Sequence, residues 1–218
     1  MLKDIRDSRQ HLWRTFSLIA ITFAIGGCTF ATNYNQTYVP NEKVQKFEPV
    51  SGKVFIYTDK SDDNYVFSGK PTSLLGAVHT LTIPLGAMTT GIAGTVFGRM
   101  FTDGFDSSNS LENISQYRVV IKPKVSNFTY EYNGLKNLGF AITPTVQISL
   151  VVKLLDKDGK PYWEKSYESG IQEGPAYMGT MSPGEEISKV AHKSVYILMT
   201  LAAADVRSVI TSQNDSYR

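Results

Sequence analysis

The clearest pattern in the chain is an alternation. Val146, Ile148, Leu150, Val152 and Leu154 are apolar, and Thr145, Gln147, Ser149, Val151 and Lys153 lie between them. A period of two puts the first set on one face of a strand, so this segment predicts a long strand with one face in a core. Asp156-Lys157-Asp158-Gly159-Lys160-Pro161 follows, and its Asp-Gly pair suits the positive φ of a turn. Residues 162–168, with Trp163 and Tyr167 on one face, then return as the hairpin partner. Tyr117, Val119, Ile121, Pro123 and Val125 show the same period, but at Phe128, Tyr130 and Tyr132 the apolar phase moves to even positions. One extra residue near Ser126 and Asn127 produces that flip and predicts a β-bulge or a break. Val54 to Tyr57, a run of β-formers between Gly52 and a turn over Asp59 to Asn64, predicts a further strand.

Two stretches carry a helical period instead. Met88, Ile92, Val96 and Met100 recur every four residues, the first three inside a run between Lys70 and Arg99 that has no formally charged side chain, predicting a helix over Gly86 to Phe101. Gly91, Gly94 and Gly98 fall on another face. Each glycine costs a helix about 1 kcal/mol relative to alanine, so the trio points either to close approach by another backbone, a strand or the C-terminal helix, or to a helix that is only marginal; in the packed case Gly94→Leu is expected to overpack. A helix of this length is about 24 Å long, short of the roughly 30 Å hydrocarbon core of a bilayer; the expectation is a helix packed on the sheet. Farther on, Ser182-Pro183-Gly184-Glu185 forms a capping box with proline at the first helical position. Ile187, Ala191, Val195, Leu198, Ala202 and Val206 keep an apolar stripe to about Ile210. Asp103 to Ser115 and Gly170 to Thr180 read as loops. The sum is an α+β domain over residues 50–212, a small, mainly antiparallel sheet covered on one face by two helices, with 213–218 as a frayed tail.

The N-terminal segment changes the picture of where this domain works. Lys3, Arg6, Arg9 and Arg14 precede a short apolar run from Phe16, which ends in Ile25, Gly26, Gly27 and Cys28, the one cysteine of the chain. A basic region, a short apolar region and small residues are the layout of a secretory signal peptide, here residues 1–27, and the run from Phe16 to Ile25 is too short to span a bilayer. Ile25-Gly26-Gly27-Cys28 resembles the lipobox of bacterial lipoproteins. That resemblance implies that Cys28 is the lipidation site, carrying palmitate or a similar acyl group, and becomes the new N-terminus. Because Thr29 is not aspartate, it further implies sorting to the outer membrane, on the periplasmic face. The rival, an uncleaved N-terminal anchor, also exports and tethers the remainder. Residues 28–49 are polar, hold two prolines and lack an apolar period, so they are expected to form a lipidated tether, able at about 3.3 Å per residue to reach several tens of ångströms.

Charge narrows the partners. The whole chain of 218 residues has 22 basic and 20 acidic residues, but four of the basic and two of the acidic ones lie in 1–27, so the remaining 191 residues carry 18 of each. A neutral chain without a basic stripe argues against nucleic acid. With its cysteine lipidated the domain can form no disulfide and must be held by packing. The lipobox, the hairpin TVQISLVVKLLDKDGKPYWEKSYES and the helix SPGEEISKVAHKSV together resemble small outer-membrane lipoproteins of the YajG type over residues 117–210. The resemblance implies an envelope accessory protein without catalysis and supplies no catalytic residue.

Candidate chemistry adds little to this. His79 and His192 lack a second ligand at metal spacing, and a surface or capping role is expected for both. Asp59, Asp62, Asp63 and Asn64 lack the spacing of a calcium loop and read as a solvated turn. Gly94 to Gly98 matches G-x-x-x-G, for which local packing is the better reading. No nucleophile elbow or P-loop is present. Phe128, Tyr130, Tyr132, Tyr162, Trp163, Tyr167 and Tyr177 should mostly pack between sheet and helices, any exposed subset marking a binding surface. The expectation is thus a non-enzymatic, membrane-anchored periplasmic lipoprotein without metal or cofactor, which meets the outer membrane through the lipid on Cys28 and binds another envelope protein. The alternative is a subunit of an oligomeric secretion or transport assembly with residues 71–98 at or in the membrane; a homo-oligomer stays open.

Overall fold

A computed structural model describes residues 29–40, 48–178 and 183–215, and the alternating segments organise it as expected. The elements in order are β1 (Thr29–Ala31), β2 (Val54–Tyr57), the short α1 (Lys60–Asp63), β3 (Phe67–Gly69), β4 (Thr80–Ile83), α2 (Leu85–Met100), β5 (Phe105–Ser108), β6 (Val119–Asn133), β7 (Thr143–Leu155), β8 (Pro161–Glu168), β9 (Gln172–Glu173) and α3 (Pro183–Asp215). The main sheet runs β5-β2-β6-β7-β8, with β9 also on β7, and a smaller one runs β1-β4-β3. The fold is α+β. β6 and β7 pair antiparallel from Val120 opposite Leu155 to Asn133 opposite Thr143, and the one register shift lies between Val125 and Asn127. The bulge at Ser126 therefore does what the phase flip requires, keeping Val125 and Phe128 both in the core. In the β7–β8 turn the Asp156 carboxylate accepts from the backbone N–H groups of Asp158 (2.9 Å) and Lys160 (2.8 Å), and Gly159 takes the positive φ of +77°.

The sheet is mixed, less antiparallel than the alternation alone suggests. β2 lies between β5 and β6 and is parallel to both. Parallel neighbours need a crossover, and α2 sits within the one that joins β2 to β5. Residues 105–108, expected to be loop, are thus an edge strand. α2 and α3 cover the same face, burying Val54, Ile56, Ile121, Ile148, Leu150, Val152 and Leu154 completely. Among the described residues the other face carries a small cluster of Phe55, Ile114, Val120 and Leu155.

α2 matches the predicted helix to within one residue, and its buried stripe includes Met88, Ile92, Val96, Phe97 and Met100. Its glycine face meets mostly rings. A Cβ on Gly94 or Gly98 would come within 2.5 Å of the Phe105 ring, and one on Gly91 within 2.6 Å of Tyr34. Backbone approaches only at Gly86, where a Cβ would lie 2.2 Å from the carbonyl oxygens of Asp62 and Asp63. Leu81, Ile83 and Leu85 are fully buried as well, so from Leu81 on most of the uncharged run is core, whereas its part before Thr80 lies largely at the surface. Residues Pro183–Ser212 of α3 are long and apolar enough to cross a membrane by length and composition, with 50% of the most apolar 18-residue stretch within them buried in the fold. The proposed capping residue Ser182 lies outside the described residues, as do 1–28 and 216–218.

Residues 29–40 differ from the expected tether. β1 pairs with β4, and the segment after it forms a strap across α3, held by His192. Far from being at the surface, His192 is fully buried. Its Nδ1–H donates to the Ser188 carbonyl (2.7 Å) and its Nε2 accepts the Asn35 backbone N–H (3.1 Å). Tyr34 stacks on the ring at 5.5 Å and Tyr38 meets it edge-on at 5.3 Å. Burial holds the imidazole below its ordinary value of 6.5, opposed in part by the bond to Ser188. A proton on Nε2 would face the Asn35 N–H, so the folded state resists protonation while the unfolded chain accepts it from about pH 6.5 downward. The unfolded state then binds more protons, and stability must fall as pH falls. Urea unfolding followed from about pH 8 to pH 5 should show this loss, and His192→Gln should remove the part of it that the wild type shows in excess.

Candidate membrane-facing surface

One end of the molecule carries apolar side chains that the core does not use. The first source is the loop between β3 and β4. Its backbone is pinned to the end of β6: the Thr72 N–H donates to the Tyr130 carbonyl (3.0 Å), and the Tyr132 N–H donates to Ser73 Oγ (3.1 Å). Gly76, at φ +79°, passes under the Tyr132 ring, where a Cβ would be 2.7 Å from it. Held this way, the loop projects Leu74 (96% exposed), Leu75 and Val78 outward.

The second source is the β6–β7 connection beside it. The Asn133 side chain accepts the Lys136 N–H (3.1 Å), and Lys136 pairs with Glu173 on β9. Gly139 N–H closes the turn on the Gly134 carbonyl (3.0 Å). Leu138 stands at φ +53°, a conformation costly for a bulky residue, and it faces solvent together with Leu135 (91% exposed) and Phe140 (80%). Between the two loops lies a shallow groove of roughly 580 Å³ whose wall is mostly apolar, lined by Leu74, Leu75, Tyr132 and Leu135 among others. Burial pushes the Tyr130 hydroxyl up to about 12 and raises that of Tyr132 as well, so both stay neutral and contribute no charge to this end.

The start of the described chain lies at the same end. β1 and β4 are parallel, with Thr29 opposite Thr80 and Phe30 opposite Leu81, so both strands enter from one side. The Phe30 ring lies 5.0 Å from His79. With strands about 5 Å apart and about 3.3 Å per residue along them, the Thr29 backbone lies within about 10 Å of the backbone at Val78. Cys28, the predicted site residue, lies outside the described residues.

The other candidates are drawn into ordinary packing. Asp59 binds Lys122 and accepts from the Tyr57 hydroxyl (2.6 Å), contacts that hold its carboxyl below the usual range. Asp62 pairs with Lys124 at 2.8 Å. Among the described residues no group of three or more His, Cys, Asp or Glu side chains is arranged to hold a metal ion. Phe128, Tyr130, Tyr132, Tyr167 and Tyr177 are buried, whereas Tyr162 is exposed. Sequence reasoning missed the six apolar residues of the two loops; the available signal was large apolar residues, single or paired, set among turn formers, as in Ser73-Leu74-Leu75-Gly76 and Gly134-Leu135-Lys136-Asn137-Leu138-Gly139.

No family model matches the chain, and no curated protein matches its sequence. Solved structures do resemble it in part. A Xanthomonas campestris protein of family model DUF330 covers 87% of this chain and 99% of its own at 14% identity and a TM-score of 0.47. A PelC dodecamer from Paraburkholderia phytofirmans covers 68% and 89% at 13% identity and a TM-score of 0.30. A minor lipoprotein from Acinetobacter baumannii covers 77% and 96% at 11% identity and a TM-score of 0.34.

Proposed function

We propose that this protein is a lipid-anchored lipoprotein of the bacterial envelope, held at the periplasmic face of the outer membrane through Cys28, and that its α+β domain serves as a non-enzymatic accessory of the YajG type that binds another envelope component. The observation that carries the anchor reading is the position of β1. Thr29, the residue after the lipobox cysteine, already pairs with Thr80, and it does so at the end where the apolar loops project. A domain anchored there is held close to its membrane, not at the reach of a long tether.

Cys28→Ser tests the reading. The expected result is loss of the acylated N-terminal peptide by mass spectrometry and release of the protein from the membrane fraction. A variant that is still processed and membrane-bound as before, or a wild-type N-terminal peptide that proves unmodified, would refute it.

A further inference from the structure

We infer that the apolar end formed by the β3–β4 loop and the β6–β7 connection seats in the interface of the bilayer that holds the anchor, so that the domain touches the membrane at a second, non-covalent site. The inference rests on the lipid-anchor reading and adds to it a surface, a set of residues and a fixed orientation. Leu74, Leu135, Leu138 and Phe140 are at least 80% exposed. Projecting almost free of neighbours, they are shaped to enter a fluid apolar medium, which needs no complementary knobs and holes. Large apolar groups grouped on one end of a soluble domain mark an interaction site. What selects lipid as the occupant is the chain path: the residue that follows Cys28 is hydrogen-bonded into the fold beside this surface. A lipid on Cys28 would hold the loops at a very high effective concentration of membrane.

The backbone supports the same conclusion. Both loops are braced from inside, by Ser73 and Thr72 on β6 and by Asn133 and the Lys136–Glu173 pair at the β6–β7 connection. Leu138 is kept in a left-handed conformation while its side chain stays outside the core. Braced loops present their apolar side chains without having to order on contact, which lowers the entropic cost of docking. The turn at residues 156–160, at the opposite end of β7, would then point away from the membrane.

The test uses the full lipidated chain. Lipidation occupies the native cysteine, so Leu74→Cys, Leu138→Cys and, as a control in the far turn, Lys157→Cys each introduce a single free thiol for an environment-sensitive fluorophore. All three side chains are exposed in the fold, so the substitutions leave the core intact. The labelled proteins are reconstituted in vesicles of phosphatidylethanolamine and phosphatidylglycerol that carry an acyl-chain nitroxide. The expected result is a blue-shifted emission quenched by shallow nitroxides at positions 74 and 138, at a depth of about 5–10 Å, with no quenching at 157. Proteins that float with the vesicles but show no quenching at 74 and 138 would overturn the inference and leave the anchor intact. A blue shift that nitroxides do not touch and that grows with protein density would overturn it in favour of a second copy on this surface. Failure to float would refute the anchor, and the membrane contact with it.

Discussion

Leu150→Ala will lower the free energy of unfolding by about 2 to 5 kcal/mol, seen as a lower denaturant midpoint with an unchanged slope. Leu150 is 0% exposed and sits in the middle of the sheet, opposite Val125 on β6 and Tyr167 on β8. Truncation removes apolar contacts and leaves a void walled by two strands and the helices above them, and neither wall can collapse without breaking a ladder. Ser149, one residue earlier, points to the face that the helices leave open. Ser149→Ala should cost under about 1 kcal/mol. Comparable losses from the two variants would show that both faces of β7 are equally covered, contrary to the arrangement described.

Gly86→Ala is expected to cost about 3 kcal/mol, the upper range for overpacking, although alanine is the better helix former by about 1 kcal/mol. The added methyl would lie 2.2 Å from two carbonyl oxygens, those of Asp62 and Asp63. Those atoms belong to α1, which cannot retreat easily. Asp62 is paired with Lys124 and Asp59, just before the helix, with Lys122, both on β6, and the Tyr65 carbonyl just beyond it accepts the Gly86 N–H at 2.9 Å. Gly94→Ala meets a different neighbour, the half-exposed ring of Phe105, which can swing toward solvent. Its cost should be offset by the helix propensity gained, whereas Gly94→Leu should displace the ring and destabilise. Thermal melts of the three variants give the ranking, and a Gly86→Ala melt equal to the wild type would show that α1 yields.

Much of this was readable wherever burial imposes a period. The alternation over 146–154, the phase flip at Ser126 and the four-residue repeat of Met88 to Met100 all record a side facing the core, and each reappears as β7, the bulge or α2. β5 left no such record. At the edge of the sheet Phe105-Asp106-Ser107-Ser108 has no buried residue, so nothing in its composition separates it from a loop. The strap over α3 was hidden for another reason. Asn35 and the rings of Tyr34 and Tyr38 find their partner, His192, more than 150 residues away, and a local reading sees only polar residues. The apolar end escaped because its apolar residues come in ones and twos, in two loops that only the fold brings together.

The parallel placement of β2 has a consequence for how the molecule is made. β6, β7 and β8 are joined by short connections and can pair as each emerges. β2 precedes them all, yet its partners are β5 and β6, with Val54 opposite Phe105 and Val119, so it stays unpaired until about half of the chain is present. Loop closure over that distance is entropically costly and comes late. The hairpins over residues 119–168 are therefore the natural nucleus, and the N-terminal third, including the strap and β1, joins a sheet that already exists. A chain stalled at that stage would leave one edge of β6 open, the edge most prone to pair with a neighbouring molecule.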